Sequence, residues 1–252
     1  MTITTRINTI TAGIAGAFAM LAAAPAMAAT IGFEGSPDLP IFSTDPGFQS
    51  SYSEAGFTMS VLDSPAGPGG LLGAIVDGSD PNSCAVTACP VGNLTRQYLG
   101  LNDGGLSVTN DHHQAFTLGG LDYAFVGPIV GLPNQNYGKL VLTGQLQGGG
   151  SVQAAFNFPL QNAAGDNVYT HLSQLGGLSG VSLTSLTINA CIFSDDNQCY
   201  NPAGNQAQFG LDNLEVTAAV PEPETYAMLL GGLGVMAMLS RRRRAATAST
   251  NV

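Results

Sequence analysis

Apolar residues recur at every second position along most of the chain. Phe57, Met59 and Val61 form one such set, Leu121, Tyr123 and Phe125 another, and Val152, Ala154, Phe156, Phe158 and Leu160 a third. This alternation is the signature of half-buried β-strands. Leu140 and Leu142 begin a further run. Between Val181 and Phe193 the apolar set shifts by three, from Val181/Leu183 to Leu186/Ile188/Ala190/Ile192, which predicts a β-bulge or a bend between two sheets. Gly-, Asn- and Pro-rich stretches at 63–70, 102–105, 128–138, 148–151 and 162–167 separate the runs as turns. No stretch of this region holds a helical period for more than two turns. Many short strands with such punctuation predict an all-β fold, a single jelly-roll-like β-sandwich over residues 29–219.

The two ends break the pattern. Residues 1–28 carry one charge, Arg6, then an apolar run from Ile10 to Ala24 and the small-residue triplet Ala26-Met27-Ala28. That order is expected of a secretory signal peptide whose helix is removed after Ala28. At the other end, Pro221-Glu222-Pro223 precedes an apolar stretch, Thr225 to Ser240, and then Arg241, Arg242, Arg243 and Arg244. Sixteen apolar residues make a helix about 24 Å long, a marginal span of a ~30 Å hydrocarbon core. Snorkelling arginines can close that gap. The arginine block is expected to stay cytoplasmic with residues 245–252, leaving the large domain outside.

Charge sharpens this division. The 252 residues contain only seven Lys and Arg, and five of them lie at the ends. Between residues 29 and 220 stand two basic residues, Arg96 and Lys139, against fifteen acidic ones, a net of −13. A nucleic-acid partner is excluded, because binding one requires clustered cations to displace counterions. Phosphate-handling chemistry is disfavoured for the same reason.

The order of Pro-Glu-Pro, apolar segment and arginine cluster over residues 220–244 resembles the PEP-CTERM sorting signal of Gram-negative bacteria that make exopolysaccharide. The resemblance implies recognition by an exosortase in the inner membrane. It further implies a transient membrane anchor, a cut near Pro221–Pro223, and delivery of the body to the cell surface or extracellular matrix. The same tail is also labelled an ice-binding protein C-terminal domain, but the chain has no short repeat with a regular Thr ladder. Within the body, Gly32-Phe33-Glu34-Gly35, Cys89-Pro90, Leu101-Asn102-Asp103-Gly104-Gly105 and Gln206-Ala207-Gln208-Phe209-Gly210-Leu211-Asp212 look like the PEP-CTERM proteins grouped by a Q-F-x-x-D motif. Gln208, Phe209 and Asp212 occupy the motif positions. That group implies an architecture and no activity.

The candidate chemistry is sparse. Cys84, Cys89, Cys191 and Cys199 suit two disulfides in an oxidising compartment, with pairing inside each loop preferred over the other two connectivities and over a zinc site. On period two, Asp212 shares a face with Leu214 and Val216, which are expected to point inward. A buried carboxylate needs a partner. Glu34 near the start of the first strand and Asp212 in the last are therefore candidate ligands, with backbone carbonyls, of a structural calcium, the alternative being that Asp212 accepts hydrogen bonds from N–H groups at the strand end. The oxygen-rich loops at 77–82 and 194–197 lack EF-hand spacing, and adjacent His112 and His113 would not chelate together on a strand. Asn93-Leu94-Thr95 matches a glycosylation sequon, and no G-x-S-x-G elbow occurs. The body has three glutamates and the chain no tryptophan, the usual sugar-stacking platform. These observations predict a non-enzymatic surface or matrix protein associated with extracellular polysaccharide. The competing readings are a carbohydrate-binding adhesin and a secreted polysaccharide hydrolase.

Overall fold

The computed structural model describes residues 27–36, 38–64, 67–80, 82–84, 87–194, 198–200, 207–218 and 230–237. Residues 1–26 of the predicted signal peptide, the Pro-Glu-Pro motif and the arginine cluster lie outside them. Of the predicted spanning segment, residues 230–237 are described and helical. Among the described residues no helix is long and apolar enough to cross a membrane. One compact unit runs from Met27 to Ala219, and the chain on either side of it groups separately.

The compact unit is all-β. Its strands are β1 (Met27–Ile31), β2 (Ile41–Phe42), β3 (Ser51–Glu54), β4 (Phe57–Leu62), β5 (Gly73–Asp77), β6 (Arg96–Gly100), β7 (Gly105–Asn110), β8 (Phe116–Phe125), β9 (Gly138–Leu146), β10 (Ser151–Asn157), β11 (Thr170–Leu172), β12 (Leu183–Phe193), β13 (Cys199–Tyr200) and β14 (Phe209–Ala218). All the pairings between them are antiparallel.

The hydrogen-bonded network resolves into two layers. In the first, β2, β5, β6, β14 and β8 follow in order, with β1 continuing the β6 side of β14 and β11 on the outer side of β8. In the second the order is β3, β4, β7, β12, β9 and β10, with β13 at the end of β12. Only the pair Leu183↔Phe116 joins β12 to β8. The chain crosses repeatedly between the layers, and the first strand lies beside the last, as in a jelly roll.

Alternation explains the core. Phe57, Met59 and Val61 of β4 are buried together with Leu121, Tyr123 and Phe125 of β8 and Leu140 and Leu142 of β9, in one cluster filled from both layers. The shift of three in β12 is a real break: its register with β9 slips between Leu183 and Ser185, at the point where β12 touches the other layer. β10 ends at Asn157; Phe158 still continues its inward parity and is buried, while Leu160 is 57% exposed beyond it. Cys84 is bonded to Cys89 and Cys191 to Cys199, the pairing within each loop. Met27 and Ala28 pair with Ala218 and Thr217, so the predicted signal-peptide cut falls inside β1 and leaves Ala29–Ile31 on β14.

Candidate functional site: the outer face of the first layer

Phe209 and Leu211 of β14 point into the core, and so do Leu214 and Val216. Two inward pairs separated by three positions require an extra residue between them. Asn213 supplies it at φ 47°, and the register with β8 slips between Asp212 and Glu215. Asn tolerates this left-handed conformation better than most residues. The bulge corrects the expectation for Asp212. Its side chain does not share the face of Leu214 and Val216. It lies on the outer face of the first layer and is fully buried there under the segment that follows the first disulfide.

The hydrogen bonds state what it does there. Asn93 Nδ2 donates to Asp212 Oδ2 at 2.6 Å, the Thr95 hydroxyl lies 3.0 Å from the same oxygen, and the Asn213 amide donates to Oδ1 at 2.7 Å. Thr95 also lies 2.5 Å from Asn93 Oδ1, and its amide donates to that oxygen at 2.9 Å. Burial pushes the Asp212 carboxyl up to about 6, and the Asn213, Asn93 and Thr95 donors only partly oppose it. A protonated Asp212 fits the same geometry. In that form the Thr95 hydroxyl, which otherwise donates to Oδ2, accepts from Oδ2–H and gives its own hydrogen to Asn93 Oδ1. The sequon asparagine is thus a clasp between loop and strand, its amide committed to Asp212.

A polar row extends across the sheet from this point. Asp212 stands opposite Asp122 of β8, and Asp122 opposite His171 of β11. His171 Nδ1 lies 2.8 Å from Asp122 Oδ1, and Asn213 Nδ2 donates to Asp122 Oδ2 at 2.8 Å. Two carboxylates directly opposite on one face repel each other; the Asp122 charge contributes to the rise of Asp212, and His171 and Asn213 both face Asp122. The Tyr169 hydroxyl is buried without a partner among the described residues, and desolvation, with the charges of Asp212 and Asp122, holds it well above its usual range. Sequence reasoning missed this row. His171 is 49 residues from Asp122, and Asn213 is 91.

Glu34 does come close to Asp212. The two flank Gly32, where an added Cβ would lie 3.9 Å from Asp212 Oδ1 and from Glu34 Cγ. Each carboxylate, however, faces donors. Glu34 Oε1 accepts the Arg96 amide at 2.8 Å, and Asp212 accepts the three groups above. Ca²⁺ needs six to eight oxygens, and among the described residues no three His, Cys, Asp or Glu side chains gather around a metal position. The Asn213 amide on Asp212 is the kind of N–H donor that the alternative expects of a hydrogen-bonded carboxylate.

The remaining candidates are turns. His112 and His113 lie exposed between β7 and β8, with Asn110 Oδ1 accepting the amides of His112 and Gln114. Asp77 Oδ1 accepts the Ser79 hydroxyl and amide, which holds its carboxyl below the usual range. Asp195, Asp196 and Asn197 lie outside the described residues.

Comparison with known proteins adds one assignment. Residues 219–244 match the PEP-CTERM protein-sorting motif. No curated protein matches the chain. Among solved structures, TmCBM61 in complex with β-1,4-galactotriose is 9% identical, with a TM-score of 0.32, covering 64% of this chain and 88% of its own. The enzymatically active domain of tailspike protein 4 of bacteriophage CBA120 is 10% identical, with a TM-score of 0.28. That alignment covers 66% of this chain and 20% of the tailspike chain.

Proposed function

We propose, from the PEP-CTERM protein-sorting motif that the chain carries at residues 219–244, that it is an exosortase substrate whose body works without catalysis at the cell surface or in an extracellular polysaccharide matrix. The sorting motif is the observation that carries the reading. Two disulfides in the body agree with an oxidising destination. The disposition of the acids supports a non-catalytic role. Asp212 has the raised carboxyl that acid catalysis uses, but it is sealed from solvent by Asn93 and Thr95. Its cross-strand neighbour Asp122 is taken up by His171 and Asn213. A net charge of −13 on the body directs association toward neutral polymers and away from anionic ones.

Fractionation of the producing strain tests the sorting half of this reading. The full chain is expected in the surface and matrix fractions, and a chain ending at Val220 is expected to stay in the periplasm or leak to the medium. Equal surface recovery of both forms contradicts it.

A further inference from the structure

We infer that a cleft on the outer face of the first layer, over Gln97 of β6 and beside the Cys84–Cys89 disulfide, binds a neutral saccharide. The inference rests on the reading of the body as a polysaccharide-associated module and names the surface it uses. The cleft has a volume of about 550 Å³, inside the ~300–1,000 Å³ range of small-molecule sites. Its walls are residues 77–80 from the end of β5, Cys84 and residues 87–89 at the disulfide, the segment leading into β6, and Val130 from the loop after β8.

Three properties define what fits. The first is unmet hydrogen bonding. Gln97 is 1% exposed, and its Oε1 has no partner among the described residues; the Thr87 hydroxyl, also lining the cleft, has none either. Buried polar atoms left in this way are costly and rare in native proteins. A half-turn of the Gln97 amide about its last torsion exchanges acceptor for donor, so the same side chain can meet either end of a hydroxyl. The second property is an aliphatic rim. Leu94 is 77%, Val130 81% and Val91 40% exposed around one opening. Scattered exposed apolar residues are ordinary, whereas several at one concavity mark a contact surface. The third is charge. Asp77 and Asp80 supply the ionisable groups of the lining, and no cation is among them. Each bends one carboxylate oxygen back onto its own turn, Asp77 to Ser79 and Asp80 to Asn82. An anion is therefore repelled. A sugar ring matches the whole set, with hydroxyls for Gln97 and Thr87, C–H faces for the rim, and no charge to oppose the aspartates.

Saturation-transfer NMR of the detergent-solubilised full chain tests this with maltotriose, cellotriose and mannotriose as neutral probes and trigalacturonic acid as the anionic one. At least one neutral trisaccharide is expected to receive saturation at its ring protons and to shift the Gln97 side-chain amide resonance, and the acid to do neither. Gln97→Met keeps the side-chain length and Thr87→Val the side-chain shape while removing the polar atom. Each is expected to weaken binding about tenfold, the loss of one neutral hydrogen bond, without lowering the melting temperature. The inference is overturned if no neutral probe receives saturation, if the acid binds as well as they do, or if both variants bind like the wild type. Because sorting is measured separately, normal surface recovery without sugar binding removes the cleft assignment and leaves the sorting assignment standing.

Discussion

Phe209→Ala is expected to destabilise the body by about 3–5 kcal/mol, the usual cost of deleting a buried aromatic ring without refilling its space. Phe209 is completely buried on β14, the strand that binds β6 and β1 on one side and β8 on the other. Its ring centroid is 6.1 Å from that of Tyr98, which continues to Phe33 at 5.8 Å and Phe42 at 6.2 Å. On its flank lies Gly100, where an added Cβ would stand 2.3 Å from the Phe209 ring. The glycine is a slot for the ring and has no side chain of its own to fill the hole. Urea unfolding of the full chain followed by near-ultraviolet circular dichroism measures the loss. A change below about 1 kcal/mol, the range of ordinary surface substitutions and small repackings, would mean that β14 is not the central strand.

The second large effect concerns Asp212. Asp212→Ala leaves the Asn93 and Asn213 donors facing an apolar side chain and frees the loop that Asn93 anchors. A loss of about 2–3 kcal/mol near pH 5 is expected, at ~1–3 kcal/mol for each buried donor left unpaired. The pH dependence follows from the raised carboxyl. In the fold Asp212 titrates at about 6, against an ordinary value of 3.8. The folded state therefore holds its proton more tightly than the unfolded chain does. The stability this contributes is complete below about pH 4 and is lost as pH rises through 6. The difference between wild type and Asp212→Ala is expected to shrink between pH 5 and pH 8. Taking that difference cancels the titration of groups that are not coupled to Asp212. A gap that widens with pH would show that Asp212 is held as a stabilised anion.

These two residues are the second and third letters of the Q-F-x-x-D motif, and they show how far the sequence could be read. Alternation places Phe209 in the core at once, because β14 keeps period two up to Leu211. It misplaces Asp212, because the strand gains a residue at Asn213, and an Asp-Asn pair in a run of strand residues is a faint signal for a bulge. In β12 the same kind of break was legible, since the shift from Leu183 to Leu186 moves large apolar side chains from one parity to the other. The disulfide pairing was legible because each cysteine pair sits in one short loop. The row His171–Asp122–Asp212 was not, because it exists only through cross-strand register between segments far apart in the chain. The cleft over Gln97 was hidden for a related reason. A glutamine on a strand looks like a solvent-facing residue until a disulfide-bearing loop closes over that face.

The position of Glu34 carries a similar lesson. The sequence brought first and last strands together correctly, and Glu34 does flank Gly32 beside Asp212. What spacing does not reveal is the partner each carboxylate takes. Glu34 accepts the Arg96 amide and Asp212 the Asn93 side chain, so both hold the segment entering β6.

Processing at the Pro-Glu-Pro motif is the central expectation for this chain. Intact-mass spectrometry of the protein recovered from the cell surface reads both ends of the chain at once. The expected species begins at Ala29 and ends within residues 220–224, with the apolar segment and Arg241–Arg244 removed. Surface protein that still carries Arg241–Arg244 would contradict it.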